Sequence, residues 1–207
     1  MTDQSSSPDT LRQMATQMID DLRNDPSASG LELGEVAPDF TLSDATGNEV
    51  HLRDRLDQGA VVVVFYRGAW CPHCDLHLRS LQGALDEIRG RGASLVAVSP
   101  QAPDASLNLT EKLTLGFDLL SDLDQAVSQR WRLRFELPAE LHDTYRAMGM
   151  DLDEHNADRS WQIPVPATFV LDGDGVVRAR HVDPNYRERM DPADVIVALD
   201  EIRDQGR

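Results

Sequence analysis

AVVVVFYRGAWCPHC, residues 60–74, is the stretch on which the reading of this chain turns. Its first seven residues are apolar and rich in β-branched valine, the pattern of a strand covered on both faces of a parallel sheet. RGAW, 67–70, is a short break. Pro72 then suits the first turn of a helix, and Leu78, Leu81, Leu85 and Ile88 recur at helical spacing before Gly90 and Gly92. ASLVAVS, 93–99, is a second buried strand. Strand, helix and strand in this order predict a parallel pair with a right-handed crossover. The cysteines Cys71 and Cys74 therefore fall where a strand gives way to a helix.

That place carries chemistry. In open α/β sheets, reactive groups gather beyond the carboxyl ends of strands. The first turn of a helix adds unpaired N–H groups and the positive end of its dipole, which stabilise a thiolate. Cys71 is thus placed as an attacking thiol, with Cys74 one turn on to resolve a mixed disulfide. His73 between them favours the thiolate when protonated. Arg67 has two readings, support of the thiolate or a pair with a nearby Asp. Trp70 likewise either shields the cysteines and offers a docking face or is a packed loop aromatic.

Working outward, Leu11, Met14, Met18 and Leu22 mark an amphipathic helix over 10–24, with Ser7 and Pro8 as its cap and first-turn proline. PSASG, 26–30, reads as a linker. Phe40 and Leu42 alternate, Thr46, Gly47 and Asn48 supply a turn, and Val50 and Leu52 complete a hairpin. A helix over 104–115, a strand over 117–122 and a helix over 123–131 follow. Residues 132–164 read as an insertion of short helix and loop without a core of its own. PATFVLD (166–172), the turn at Gly173, Asp174 and Gly175, and VVRARHV (176–182) form a second hairpin. Asp191 and Pro192 start a last helix that buries Val195, Ile196 and Leu199. The fold expected is three-layer α/β with a mixed central sheet, carrying an N-terminal helical extension and linker (1–32) before one domain (33–207).

Composition bounds the function. The net charge of -16 disfavours a nucleic-acid partner, and all but Lys112 of the 20 basic residues are Arg. No run approaches the roughly 20 apolar residues of a membrane span. The polar, acidic start MTDQSSSPDT carries no secretory pattern, so a cytoplasmic location is expected. Two cysteines three positions apart point to redox or metal chemistry rather than a disulfide-stapled domain. A zinc site on Cys71, Cys74 and His77 would lack a fourth ligand, and Asp75 stands where covalent haem attachment needs His. Two inert buried thiols are the remaining alternative. His51, His142, His155 and His181 read as ordinary surface or loop residues.

Three motifs carry a family likeness. GEVAPDFTLSDATGNEVHL resembles the opening of the peroxiredoxin (AhpC/TSA) family, FYRGAWCPHC resembles the active-site segment of its CxxC-bearing branch, and PVPATFVLDGDGVVRARHV resembles the closing hairpin shared with thioredoxins. The likeness spans roughly residues 33–203 and implies a thioredoxin-like fold. In the peroxiredoxin pattern Arg67 stands at the Pro, Cys71 at the Thr or Ser, Cys74 at the peroxidatic Cys, and Pro166 at the later peroxide-binding Arg. In the thioredoxin pattern Cys71 attacks, and Pro166 matches the cis-proline beside the disulfide; a plain strand-edge proline is its alternative. The two patterns leave open which cysteine attacks.

The resemblance implies an antioxidant-type thiol oxidoreductase that reduces peroxides, disulfides or both through a reversible Cys71–Cys74 disulfide. Expected reductants are a thioredoxin-like protein or a low-molecular-weight thiol, without cofactor or metal, and many members of the family are homodimers. The competing class is a non-catalytic redox-sensing or metal-binding interaction protein on the same fold.

Overall fold

The computed structural model describes residues 8–205. The expected Ser7 cap lies outside them. The chain opens with α1 (Pro8–Arg23) and a 3-10 turn at Pro26–Ala28. The hairpin of β1 (Thr41–Asp44) and β2 (Glu49–His51) leads through α2 (Leu52–Leu56) to β3 (Val61–Phe65). Then come α3 (Pro72–Gly83), α4 (Leu85–Gly90), β4 (Ser94–Ser99), α5 (Pro103–Leu113), β5 (Asp118–Ser121) and α6 (Ala126–Arg130). Residues 134–164 hold β6 (Arg134–Glu136), α7 (His142–Ala147), α8 (Leu152–His155) and β7 (Gln162–Pro164). β8 (Ala167–Leu171), β9 (Val177–Val182) and α9 (Pro192–Gln205) close the fold.

Seven strands form one mixed sheet in the order β2-β1-β5-β4-β3-β8-β9. β3 pairs in parallel with β4 and β4 with β5, while β8 runs antiparallel to β3 and β9 to β8. All five residues of β3 are buried because the strand is central and covered on both faces. Its side chains alternate between two cores. Val62 and Val64 face Leu78, Leu81 and Ile88 of α3 and α4, with Val195 and Leu199 of α9. Val61, Val63 and Phe65 face Phe40, Trp131 and Phe169. In that second core the Trp131 ring lies 5.1 Å from Phe65 and 5.2 Å from Phe169. The result is the three-layer arrangement expected.

Three readings change. The stripe from Leu78 to Ile88 is one apolar face but two helices, because the chain breaks at Ala84 just after Gly83, a weak helix former. PSASG is no free linker. Ala28 and Leu31 are buried in the main core, and Gly30 (φ +72°) lies so close to the sheet that a Cβ would stand 2.8 Å from Val182 and 3.2 Å from Phe169. Only a residue without a side chain fits that approach and dihedral together. Finally, residues 134–164 do own a core. Leu137, Leu141, Tyr145, Leu152, Trp161 and Ile163 pack together, with Leu11, Met14 and Met18 of α1 and Trp70 against them. Its apolar residues come from β7, two short helices, a 3-10 turn at Ala139–Leu141 and the loops between them, so no single period marked them in sequence.

Candidate active site

The site is built where β3 ends. The N–H of Tyr66 still bonds to Val98 O at 3.0 Å, and the chain then leaves the sheet at Arg67 and Gly68. Gly68 has φ +145°, and a Cβ there would meet Trp70 Nε1 at 2.5 Å and the Gln101 amide carbon at 3.1 Å. The buried Gln101 side chain fixes the loop by accepting from the N–H of Ala69 at 2.6 Å. Cys71 follows in extended conformation at the cap position of α3, and Pro72 is the first helical residue. The N–H of Cys74 bonds back to Cys71 O at 2.9 Å.

Both cysteines are free thiols and buried. They differ in outlook. Cys71 lines a cleft of about 840 Å³, bounded by α1, the loop at Trp70, α7 and Tyr186, whereas Cys74 lies behind it and does not line the cleft. They differ in acidity as well. A hydrogen bond from the Cys74 thiol, acting against burial and helped by the charges of Arg67 and Arg189, lowers Cys71 to about 5. Burial first, and then the bond and charge of Cys71, push Cys74 well above the ordinary thiol range. A thiolate at Cys71 with a thiol at Cys74 is the state these groups favour.

Arg67 is almost fully buried. Among the described residues it has no carboxylate partner, so the Asp pair read as an alternative in sequence is not formed. Its Nη2 donates to the Tyr145 hydroxyl at 2.9 Å, and its guanidinium lies 4.7 Å from the Trp70 ring centroid and 4.6 Å from that of Tyr186. Aromatic faces thus hold the cation in place without neutralising it, which leaves its field available to the sulfurs. A second guanidinium reaches the pair: Arg189 Nη2 donates to Cys74 Sγ at 3.6 Å. The peroxiredoxin pattern had left the site without its later Arg. The structure supplies cations from Arg67 and Arg189 instead.

Trp70 is half-buried, edge-on to Tyr145 at 6.3 Å and stacked on His155 at 6.1 Å. His73 is half-buried beside Tyr186, with ring centroids 5.3 Å apart. Pro72 is exposed at the cleft rim. Pro166 is joined by a trans peptide, since no cis bond occurs among the described residues. The expectation of a cis-proline is corrected. The preceding residue is held by Val165 N–H bonding to Leu133 O at 2.7 Å, and Pro166 lines a small cavity with Arg67, Tyr145 and Tyr186 but not the cleft that Cys71 lines.

Several site residues were not singled out in the sequence. Tyr145, Tyr186 and Arg189 come from distant, charge-rich segments with no spacing that marks them. His155 was read as an ordinary loop residue, and it lines the cleft. His77, considered only as a zinc ligand, is buried on α3, and burial with the neighbouring Arg189 charge lowers it to about 4. No group of three or more His, Cys, Asp or Glu side chains is placed to hold a metal ion among the described residues. The cleft walls are apolar (Leu11, Ala15, Ile19, Leu141, Met148, Met150), and among the described residues no carboxylate lines them although the chain has 36 acidic residues.

Similarity to known proteins agrees with this fold. The AhpC/TSA family matches residues 33–180. Peroxiredoxin Bcp of Escherichia coli strain K12 is 35% identical over 101 residues, which are 49% of this chain and 64% of that protein. The chain thus matches just under two thirds of this relative's length. Among solved structures, peroxidoxin BcpB from Mycobacterium tuberculosis superposes with a TM-score of 0.67 at 24% identity, covering 83% of this chain and 98% of that one. A cysteine-to-serine mutant of peroxiredoxin 6 from Arenicola marina gives a TM-score of 0.69 at 15% identity, covering 86% and 76%. At these identities the structures speak to the fold, which is thioredoxin-like. With the family match covering most of the chain, and the CxxC pair at the strand-to-helix junction, the protein belongs to the AhpC/TSA family.

Proposed function

We propose that this protein is a thiol oxidoreductase that reduces peroxides, disulfides or both through a reversible Cys71–Cys74 disulfide, with Cys71 as the attacking thiol. One observation carries the reading: a thiolate-favouring Cys71 faces the cleft while Cys74, one turn on and shielded, donates to it. With a hydroperoxide, the Cys71 thiolate attacks the terminal oxygen and the O–O bond breaks. Cys71 becomes a sulfenic acid, and the alkoxide or hydroxide leaves and takes a proton. Cys74 then attacks the Cys71 sulfur, an S–S bond forms, and the sulfenic oxygen leaves as water. With a disulfide substrate, Cys71 forms a mixed disulfide that Cys74 resolves. A thioredoxin-like protein or a low-molecular-weight thiol supplies the two electrons that restore both thiols.

Arg67, Trp70, Pro72, His73 and Pro166 support the pair in this reading. Arg67 stabilises negative charge at Cys71 and on the departing oxygen, and Pro72 sets the helix start. Trp70 and His73 form the rim against which substrate docks, and Pro166 backs the aromatic cage of Arg67. Within the N-terminal extension, residues 8–32 cover the domain 33–207, and the reaction needs no cofactor.

The test mixes reduced protein with a hydroperoxide and, separately, with insulin in the presence of a thiol reductant. Catalytic turnover of either substrate, lost in Cys71→Ser, supports the proposal. Stoichiometric oxidation without turnover of either would favour a redox-sensing role and defeat it.

A further inference from the structure

Cys74 has two chemical duties in a reversible disulfide cycle. It must attack as a thiolate when the disulfide forms, and it must leave as a thiolate when the disulfide is reduced through the cleft-lining Cys71 sulfur. Its surroundings oppose both. It is buried to 1% exposure, sits behind Cys71, and is pushed well above the ordinary thiol range, first by burial. Something must stabilise the Cys74 thiolate at the moment of reaction.

The groups around it are few. Cys71 and Arg67 stand on the strand-to-helix side, Tyr66 lies beneath at the end of β3, and Asp75 is the next residue, tied to Lys112 at 2.8 Å. From the segment before α9 comes Arg189, whose charge also acts on His77, which His181 faces in turn. Burial lowers His77 to about 4, so it stays neutral near pH 7. Of the cations, Arg67 is bonded to Tyr145 and enclosed by aromatic rings. Arg189 alone among the described residues donates to the Cys74 sulfur, at 3.6 Å, and no carboxylate pairs with it there. Its other bond, from Nη1 to Glu188 O at 2.7 Å, anchors the guanidinium without neutralising it.

We propose that Arg189 is a catalytic residue that stabilises the Cys74 thiolate, both as the attacking group in disulfide formation and as the leaving group in disulfide reduction. This rests on the Cys71–Cys74 cycle proposed above. When Cys71 is a sulfenic acid its negative charge is gone, and with it the repulsion that opposed a Cys74 thiolate. The Arg189 contact then acts on a sulfur with no competing anion. Cys74 loses its proton to solvent, its electron pair forms the S–S bond, and the sulfenic oxygen leaves as water. In the reverse direction the reductant thiolate attacks Cys71, the S–S bond breaks, and the electron pair returns to Cys74 beside the guanidinium.

The experiment uses full-length wild type, Arg189→Gln and Arg189→Lys. Reduced protein receives one equivalent of hydrogen peroxide, and sulfenate and disulfide are followed separately by rapid quench, alkylation and mass analysis over a range of pH. The expected result for Arg189→Gln is disulfide formation slowed about tenfold near neutrality, with its pH midpoint moved up by about one unit. Arg189→Lys keeps a midpoint close to wild type. An unchanged midpoint in Arg189→Gln overturns the proposal, even if the rate falls, because a merely structural loss would not move it. Equal upward shifts in both variants overturn it too. If wild type forms sulfenate but no Cys71–Cys74 disulfide, the underlying cycle fails instead, and the two failures are distinct.

Discussion

At the scale of single residues, the chemistry depends on an unequal division of acidity between two cysteines one turn apart. Cys71 is lowered to about 5 first by the hydrogen bond from Cys74 and then, against burial, by Arg67. Iodoacetamide alkylation of Cys71 should therefore reach half its maximal rate near pH 5, and Cys74→Ala should move that midpoint upward because the donor is gone. A midpoint left in place by Cys74→Ala would contradict this account of the thiolate. Arg67→Met should raise the midpoint too. It should also make the disulfide less oxidising, since stabilising the reduced thiolate is what raises the potential of such a pair. Equilibration with a glutathione buffer reads that shift. Much of this site could be read from one run of text, because Arg67, Trp70, Cys71, Pro72, His73 and Cys74 are neighbours in the chain. Tyr145, Tyr186 and Arg189 could not. They reach the sulfurs only through the fold, and an isolated Tyr or Arg in a charged segment has no pattern to announce it.

The elements show why the site holds its shape. The Gly68 loop joins strand to helix in a backbone conformation and a space that exclude a side chain. Gly68→Ala should destabilise the protein by about 1–3 kcal/mol and displace Trp70. Thermal unfolding and the near-ultraviolet signal of tryptophan measure both, and an unchanged spectrum would argue against the close packing. On α3, His77 is buried at about 4, below its usual 6.5. The unfolded chain binds this proton below 6.5 and the folded chain does not until near 4. His77 thus contributes stability that is complete above 6.5 and is lost as pH falls from there toward 4, by about 3 kcal/mol in all. Urea unfolding from pH 4 to pH 6.5 should show a flatter dependence in His77→Gln, and parallel curves would refute it. Strands, hairpins and helix starts were legible because period, turn residues and proline mark them locally. The satellite core of residues 134–164 was not, because Leu137, Tyr145 and Trp161 cohere only in three dimensions.

For the molecule as a whole, α1 is the piece that relates the fold to access. Leu11, Ala15, Met18 and Ile19 form one wall of the cleft, while Leu22, Ala28 and Leu31 belong to the main core. Deleting residues 1–20 should leave a folded protein whose Cys71 reacts faster with a bulky maleimide. Deleting 1–32 should cost about 3 kcal/mol or more by removing core side chains. Equal stability of the two truncations would show that the core contribution of 22–31 is overstated. The central claim concerns which sulfur meets the substrate. The family pattern aligned on FY puts Cys74 at the peroxidatic position, whereas burial, cleft and charge favour Cys71. Sulfenate trapping after one equivalent of hydrogen peroxide, on Cys71→Ser and Cys74→Ser side by side, tests this most directly. The account predicts rapid trapping on Cys71 in Cys74→Ser and little on Cys74 in Cys71→Ser; trapping on Cys74 alone would contradict it.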